Sequence, residues 1–185
     1  MKYTNTTFFA LVALLATGIT NAADVPIYAG NDCDSSSWVQ CGNLSCQTCC
    51  IGQGFSAKVT GSDYGLTTAF SQSTCGGDVY TVSHTEYCLR PSFIVTRSVL
   101  WRTLPGEIID DDTGEIIPVP PSGNPVECVN EPREVDSFGY IDEETGEEVV
   151  YMIPDDRREA ILAAVATGDN AAVKANAAGL SPVSY

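Results

Sequence analysis

The chain has 185 residues, a length typical of one ordinary domain and too short for a multidomain enzyme. Its formal net charge of −15 would repel phosphate groups, so nucleic-acid binding is excluded as its main role. The hydrophobic content of 44 % excludes a wholly disordered chain, and a single histidine beside eight cysteines leaves little scope for metal or acid–base chemistry. We therefore predict no cofactor and no bound metal.

Residues 1–22 have the pattern of a secretory signal peptide. Lys2 precedes an apolar run over residues 8–19, and small residues at 20–22 suit a cleavage site. The apolar run is shorter than the roughly 20 residues that a membrane-spanning helix needs. We predict cleavage after Ala22, an extracellular location and no membrane insertion; the alternative is an uncleaved signal anchor.

All eight cysteines follow the predicted signal peptide, and in an oxidising compartment we expect them to pair as disulfides. They are Cys33, Cys41, Cys46, Cys49, Cys50, Cys75, Cys88 and Cys128. Because Cys49 and Cys50 are adjacent, they should take different partners, while the rest of the pairing stays open. A zinc site formed by Cys41, Cys46, Cys49 and His84 is the alternative, and it would need a reducing compartment.

The charges divide the mature chain into three regions. Residues 23–104 are nearly balanced and hold seven of the cysteines, which predicts a cysteine-rich, β-rich domain. Residues 105–154 carry fourteen acidic residues and one basic residue, and residues 155–185 are again nearly balanced. We therefore divide the chain into a disulfide-rich head, an acidic segment and a helical tail.

Within the head, three runs have the alternation or the β-branched content of strands: 55–59, 79–88 and 92–101. Residues 64–73 are expected to form a short helix that ends at the glycines after Cys75.

Two surface features of the head have functional interpretations. Asn43-Leu44-Ser45 is an N-glycosylation sequon, which predicts a surface loop and, in an exported chain, a glycan on Asn43. Four aromatic residues either form a binding face or cover a small core. They are Trp38, Trp101, Tyr80 and Tyr87.

The acidic segment contains an internal repeat. The motif Ile-Asp-x-x-Thr-Gly-Glu at 109–115 returns at 141–147, flanked both times by β-branched residues. Each copy predicts a hairpin, because glycine supplies the positive φ that a tight turn with a bulge requires. A calcium loop at Asp110 and Asp112 is the alternative, but Pro121 stands where the bidentate glutamate belongs.

The last region predicts two short helices. Asp155 and Asp156 favour a helix start after Pro154, the run at 168–170 separates the helices, and Gly179 ends the second. Arg157 and Arg158 form either a dibasic processing site or two charges on a first helical turn.

Catalytic machinery is not indicated. Ser83 and His84 would point to opposite faces of a strand, and only Glu86 shares the face of His84. The many acidic residues lie in turns, where a carboxyl group stays solvated and keeps its ordinary pKa. We predict that the protein is not an enzyme; a carboxylate-based hydrolase is the alternative.

The signal peptide, the eight cysteines with a vicinal pair and the acidic body resemble the small secreted cysteine-rich proteins of fungi and oomycetes. The spacing from Cys33 to Cys50, followed by Cys75-Gly76 and Cys88, is similar to that of α/β killer-toxin-like members of this group. The similarity covers residues 33–88, and it implies an effector or toxin without assigning any functional residue.

Together these features predict an α+β protein with a disulfide-rich β-containing head, an acidic β-hairpin segment and a C-terminal helical hairpin. The expected function is non-enzymatic interaction, effector-like or toxin-like and hence related to virulence, with a host or competitor target outside the cell. We expect a monomer. The alternatives are an inhibitor of an extracellular enzyme, which would present an acidic turn to a basic cleft, and a structural protein of the cell wall.

Overall fold

A computed structural model gives the fold of the chain. It describes residues 22–45, 47–61, 65–91, 95–103, 107–109, 116–118 and 131–183, so the predicted signal peptide lies almost wholly outside the described residues. The strands are β1 (Ala22–Tyr28), β2 (Ser37–Ser45), β3 (Cys49–Gly54), β4 (Ser56–Ala57), β5 (Gly65–Phe70), β6 (Val79–His84), β7 (Thr96–Thr103), β8 (Glu107–Ile109), β9 (Ile116–Pro118), β10 (Pro132–Glu134), β11 (Ser137–Ile141) and β12 (Glu148–Met152). A 3₁₀ turn at Asp155–Arg157 leads into α1 (Arg158–Thr167) and α2 (Asn170–Ala177).

The described strands form two five-stranded sheets and one two-stranded sheet. The first sheet has the order β12-β11-β2-β1-β4, and the second has the order β10-β3-β7-β5-β6. Strands β8 and β9 pair separately with each other. The first sheet is antiparallel at its β1–β2, β2–β11 and β11–β12 pairs, whereas β10 joins the second sheet in parallel with β3.

One apolar cluster joins both sheets and the helices. Alternate residues of β1 and β2, such as Ile27 and Val39, are fully or almost fully buried against Val99 and Trp101 of β7. Ile161, Val165 and Val173 of the helices belong to the same cluster. The α+β composition predicted from the sequence is therefore present, as mostly β structure with two short C-terminal helices.

The predicted helix at 64–73 is wrong. Residues 65–70 form β5, which pairs with β6 on one side and with β7 on the other. Because β5 is a central strand, all of its residues except Leu66 are buried, and the polar–apolar alternation that marks a strand is missing.

Strands β1, β2 and β3 were not predicted as strands. Pro26 stands inside β1, where a proline normally argues against a strand. The carbonyl oxygen of Pro26 accepts a hydrogen bond from the backbone N–H of Lys58, 3.1 Å away. The N–H and C=O groups of a strand residue point to the same neighbouring strand. The N–H that Pro26 lacks would therefore have pointed toward Lys58, and the pairing of β1 with β2 loses no hydrogen bond.

Both copies of the acidic repeat lie between antiparallel strands. Strands β8 and β9 flank the first copy, whose turn at 110–115 lies outside the described residues. Strands β11 and β12 flank the second, and Gly146 in its turn has a φ of +72°, as the hairpin prediction requires. Because β11 pairs with β2, the second hairpin is built into the first sheet.

The predicted helical tail is present as α1 and α2. Gly168 ends α1 with a φ of +67°, and the Asp169 carboxylate caps α2 by accepting from the backbone N–H of Ala172 at 3.0 Å. In the part of the chain that the structure describes, no helix combines the length and the apolar character needed to cross a membrane.

Candidate functional site

Three disulfides join the described cysteines, and each links segments that are distant in the chain or in different sheets. Cys33 in the loop after β1 pairs with Cys88, Cys41 of β2 pairs with Cys50 of β3, and Cys49 pairs with Cys75. The vicinal Cys49 and Cys50 thus have different partners, as predicted. Within the described ranges no cysteine is free, and Cys46 and Cys128 lie outside them.

These bonds also bear on the zinc alternative. Cys41 and Cys49 are both in disulfides, so neither is available as a thiolate ligand. His84 ends β6, at a ring-centroid distance of 6.4 Å from Tyr87.

Asn43 is exposed near the end of β2, with a φ of +53°, and its backbone N–H donates to the Asp24 carboxylate at 2.7 Å. The side chain is therefore available at the surface, and glycosylation of Asn43 stays a prediction.

Arg157 and Arg158 are held by the fold. Arg157 donates through Nη1 to the carbonyl oxygens of Asn176 and Ala178, at 2.8 and 2.9 Å, at the end of α2. Arg158 donates through Nη2 to the Glu134 carboxylate at 2.7 Å and to the Val135 carbonyl at 2.9 Å. Both side chains therefore have structural partners at the start of the helical tail, and processing at this pair stays an untested alternative.

The four aromatic residues do not share a surface. Trp101 is fully buried in the core cluster, whereas Trp38 lies on the opposite, outer face of the first sheet, above Gly139. Trp38 is only 4 % exposed, and its Nε1 donates to Gln40 Oε1 at 2.9 Å. Tyr87 is exposed, and the side chain of Tyr80 lies outside the described part of the structure. Both tryptophans are therefore buried, and they do not form an exposed aromatic binding face.

Tyr28 lies beside Trp38, with the ring centroids 5.9 Å apart, and lines a cleft of about 380 Å³ on this outer face. Burial of the phenol, reinforced by the negative charge of Glu148, raises the pKa of Tyr28 to about 12.

A second cleft runs between α1 and the β3–β10 edge, and we call it the arginine groove. It has a cavity volume of about 320 Å³ and an apolar floor that includes Val39, Leu162 and Val165. Arg97, Glu134 and Arg158 supply its charged groups. Glu134 is paired with Arg158, whereas Arg97 has no ion-pair partner among the described side chains, so the groove carries a net positive charge.

A third cleft lies between the loop after β1, Phe55 and the turn that joins the two helices, and we call it the hydroxyl cleft. Its cavity volume is about 450 Å³. The lining residues are all uncharged: Ala29, Gly30, Ser35, Ser36, Ser37, Phe55, Ala166, Thr167, Gly168 and Asn170. It meets the arginine groove at Ala166.

The acidic turn of the second repeat is rigidly held. The Asp142 carboxylate accepts hydrogen bonds from the backbone N–H groups of Glu144 and Thr145, at 2.9 and 3.2 Å, and from Lys174 Nζ at 3.3 Å. These contacts, the two backbone bonds first, lower the pKa of Asp142 below its ordinary value of 3.8, so the expectation that the carboxyl groups in these turns keep their ordinary pKa is wrong at Asp142. Glu143 and Glu144 stay exposed at the tip.

Neither the arginine groove nor the hydroxyl cleft was predicted from the sequence. Their residues come from the loop after β1, from β3 and from the helices, and no spacing in the sequence brings them together. The one available signal was the run Ser35-Ser36-Ser37, which is indistinguishable from an ordinary polar loop.

Among the described residues, no group of three or more His, Cys, Asp or Glu side chains is placed to hold a metal ion. Comparison of the chain with protein families, with curated proteins and with solved structures found no match.

Proposed function

We propose that the protein is an exported, disulfide-stabilised binding protein, effector-like or toxin-like, that acts without catalysis on a host or competitor molecule outside the cell. The disulfide framework is the observation that carries the proposal. Three bridges hold the described part of the chain, and disulfides persist mainly in oxidising compartments. Such crosslinks also suit a protein that meets extracellular proteases, because they limit the opening of the fold.

The arginine groove is the surface that we assign to target binding. The whole chain has a net charge of −15, so a cleft in which Arg97 is unpaired attracts an acidic group that the rest of the surface repels. The apolar floor beneath Arg97 offers burial to an aliphatic or aromatic side chain beside that acidic group. The partner that this chemistry fits is a protein segment carrying an acidic residue next to an apolar one.

Export and crosslinking are tested by the mass of the native protein. The chain is expressed with its leader in a eukaryotic secretory host, and the intact mass is measured in medium and cell extract, before and after reduction. We expect the mature chain from residue 23 in the medium, with cysteines oxidised and a glycan that disappears in Asn43→Gln. Native protein found only inside the cell with free thiols would overturn the proposal.

Target binding is tested by selection from a random peptide display library on the immobilised oxidised protein. We expect enrichment of peptides in which Asp or Glu neighbours Leu, Ile or Phe. Arg97→Glu should abolish this enrichment, whereas Arg102→Glu makes the same charge change at an exposed position of β7 outside the groove and should preserve it. Equal enrichment by both variants would show that the groove is not the binding surface.

Inhibition of an extracellular enzyme is the second candidate, and the geometry of the acidic turn supports it. A turn fixed by the Asp142 hydrogen bonds presents Glu143 and Glu144 at low entropic cost, as an inhibitory loop requires. The test is inhibition of secreted proteases with basic substrate clefts, by the wild type and by Glu143→Lys/Glu144→Lys. Inhibition by the wild type alone would favour this candidate, and equal inhibition by both proteins would exclude the acidic turn as the inhibitory surface.

A further inference from the structure

We propose that the hydroxyl cleft binds a neutral sugar unit of a glycan. The proposal goes beyond the function inferred above, because it assigns a second ligand class to a surface that shares only Ala166 with the arginine groove.

The hydroxyl cleft carries no charge of its own. Every side chain that lines the cleft is uncharged, in a chain whose net charge is −15. An anionic ligand would meet the repulsion of the surrounding protein, and a cationic one would find no carboxylate inside the cleft with which to pair. The occupant that fits is neutral.

The cleft also holds polar atoms that the described residues leave without hydrogen-bond partners. Ser37 is 1 % exposed, and its Oγ has no hydrogen-bond partner within the described ranges. Strand alternation places Ser37 on the side of Val39 and Cys41, which is the side of the helices and of the cleft.

Asn170 at the start of α2 complements Ser37. Its Nδ2 donates to Ser36 Oγ, while Oδ1 is buried and without a partner in the described part of the chain. The cleft thus contains a hydroxyl that can donate or accept and an amide oxygen that accepts. A sugar carries several hydroxyl groups that both donate and accept, so it offers partners for atoms of either kind, whose burial without partners is otherwise unfavourable.

An aromatic residue, Phe55, lines the cleft. Phe55 is 37 % exposed, and its backbone N–H donates to the carbonyl oxygen of Tyr28 at 2.8 Å, which holds the backbone that carries the ring. An aromatic ring carries partial negative charge on its face, which suits the C–H groups of a pyranose ring. The volume of about 450 Å³ lies within the roughly 300–1,000 Å³ common for small-ligand sites.

The experiment titrates the purified, oxidised full-length mature protein, ¹⁵N-labelled, with defined oligosaccharides. The neutral probes are laminarihexaose, cellohexaose, chitohexaose and mannohexaose, and the acidic comparison is hexagalacturonate. We expect at least one neutral probe to shift the amide resonances of Ser37, Phe55 and Asn170 in a saturable manner, and hexagalacturonate to leave them unchanged. No saturable shift at these residues with any neutral probe, or an equal shift with hexagalacturonate, would overturn the proposal.

Variants then identify the contacts. Phe55→Ala and Asn170→Ala should each weaken binding by about tenfold, as expected for the loss of one good contact. Tyr87→Ala removes an aromatic ring that is 57 % exposed outside the cleft, and it should leave the affinity unchanged.

Ser37→Ala separates a binding role from a structural one. Because Ser37 Oγ has no partner among the described residues, its removal should keep or raise the thermal midpoint while it weakens binding. Unchanged affinity in all three cleft variants would overturn the proposal. Saccharide binding by a protein that is not exported would refute only the function proposed above.

Discussion

Removing the disulfide between Cys33 and Cys88 should destabilise the protein mainly by raising the conformational entropy of its unfolded state. The two cysteines are 55 residues apart, the largest separation among the three bridges described. Both are only half-buried, so the double variant Cys33→Ala/Cys88→Ala removes little packing from the core. The loss of stability in this variant therefore reports mainly the loss of the crosslink.

The separations set the expected magnitudes. In the chain-entropy relation a 55-residue loop corresponds to about 4.2 kcal/mol of stability at 25 °C. Loops of 26 and 9 residues, closed by Cys49–Cys75 and Cys41–Cys50, correspond to about 3.5 and about 2.6 kcal/mol. For a chain of this length, the loss of about 4 kcal/mol lowers the thermal midpoint by about 8–16 °C.

The bridge between Cys41 and Cys50 is the matched control. Both cysteines are fully buried, so Cys41→Ala/Cys50→Ala leaves a cavity in the core in addition to opening a short loop. Its total loss of stability can therefore equal that of the Cys33–Cys88 variant, while its effect on the dimensions of the unfolded chain stays small.

Urea unfolding distinguishes the two mechanisms, because the slope of stability against urea follows the surface exposed on unfolding. We expect the slope to rise most for the variant lacking Cys33–Cys88 and least for the variant lacking Cys41–Cys50. A rise no larger than that of the control, or a loss below about 1 kcal/mol, would refute the crosslink argument.

Three further predictions concern packing, pH and proteolysis. Gly139→Ala should lower the stability measured by thermal unfolding by about 1–3 kcal/mol, because the added Cβ would lie 2.9 Å from Trp38 Nε1. Gly76→Ala, whose Cβ has more room, is the control, and an equal loss of stability in both variants would refute the clash with Trp38 as the cause. Burial of the neutral Tyr28 phenol should stabilise the fold fully below the unfolded-state pKa of 10.0, and this stabilisation should be lost as the pH rises toward about 12. The difference in phenolate absorbance between the wild type and Tyr28→Phe measures the titration of Tyr28, and a midpoint near 10 would contradict the prediction. A dibasic-specific protease should cut after Arg158 only once the protein is reduced and unfolded, because Arg157 and Arg158 are hydrogen-bonded to backbone carbonyls. Mass spectrometry that shows a cut in the native protein would contradict this prediction.

Features set by local backbone chemistry could be predicted from the sequence. The break between the helices follows from Gly168 and Asp169, which end one helix and cap the next within two residues. The second acidic hairpin follows from Gly146, since that turn position needs a positive φ. The separate partners of Cys49 and Cys50 follow from their adjacency alone.

Features set by tertiary burial could not be predicted. Strand β5 is buried on both faces, so its pattern resembles that of a buried helix. The union of β11 with β2 joins segments about one hundred residues apart, and no local signal encodes such a pairing. For the same reason the arginine groove, which combines Arg97 with Arg158, could not be found before the fold was known.

Strand β2 shows why the missed fold and the missed cleft are connected. Its buried residues include the polar Ser37 and Gln40, so its sequence does not alternate as a half-buried strand should. Gln40 accepts a hydrogen bond from Trp38, whereas Ser37 Oγ finds no partner within the described ranges. A buried hydroxyl without a partner weakens the fold, and natural sequences keep such local conflicts chiefly where function requires them. The residue that obscured β2 in the sequence is thus the residue that points to a ligand, and the stability and affinity of Ser37→Ala measure the two sides of that conflict in one protein.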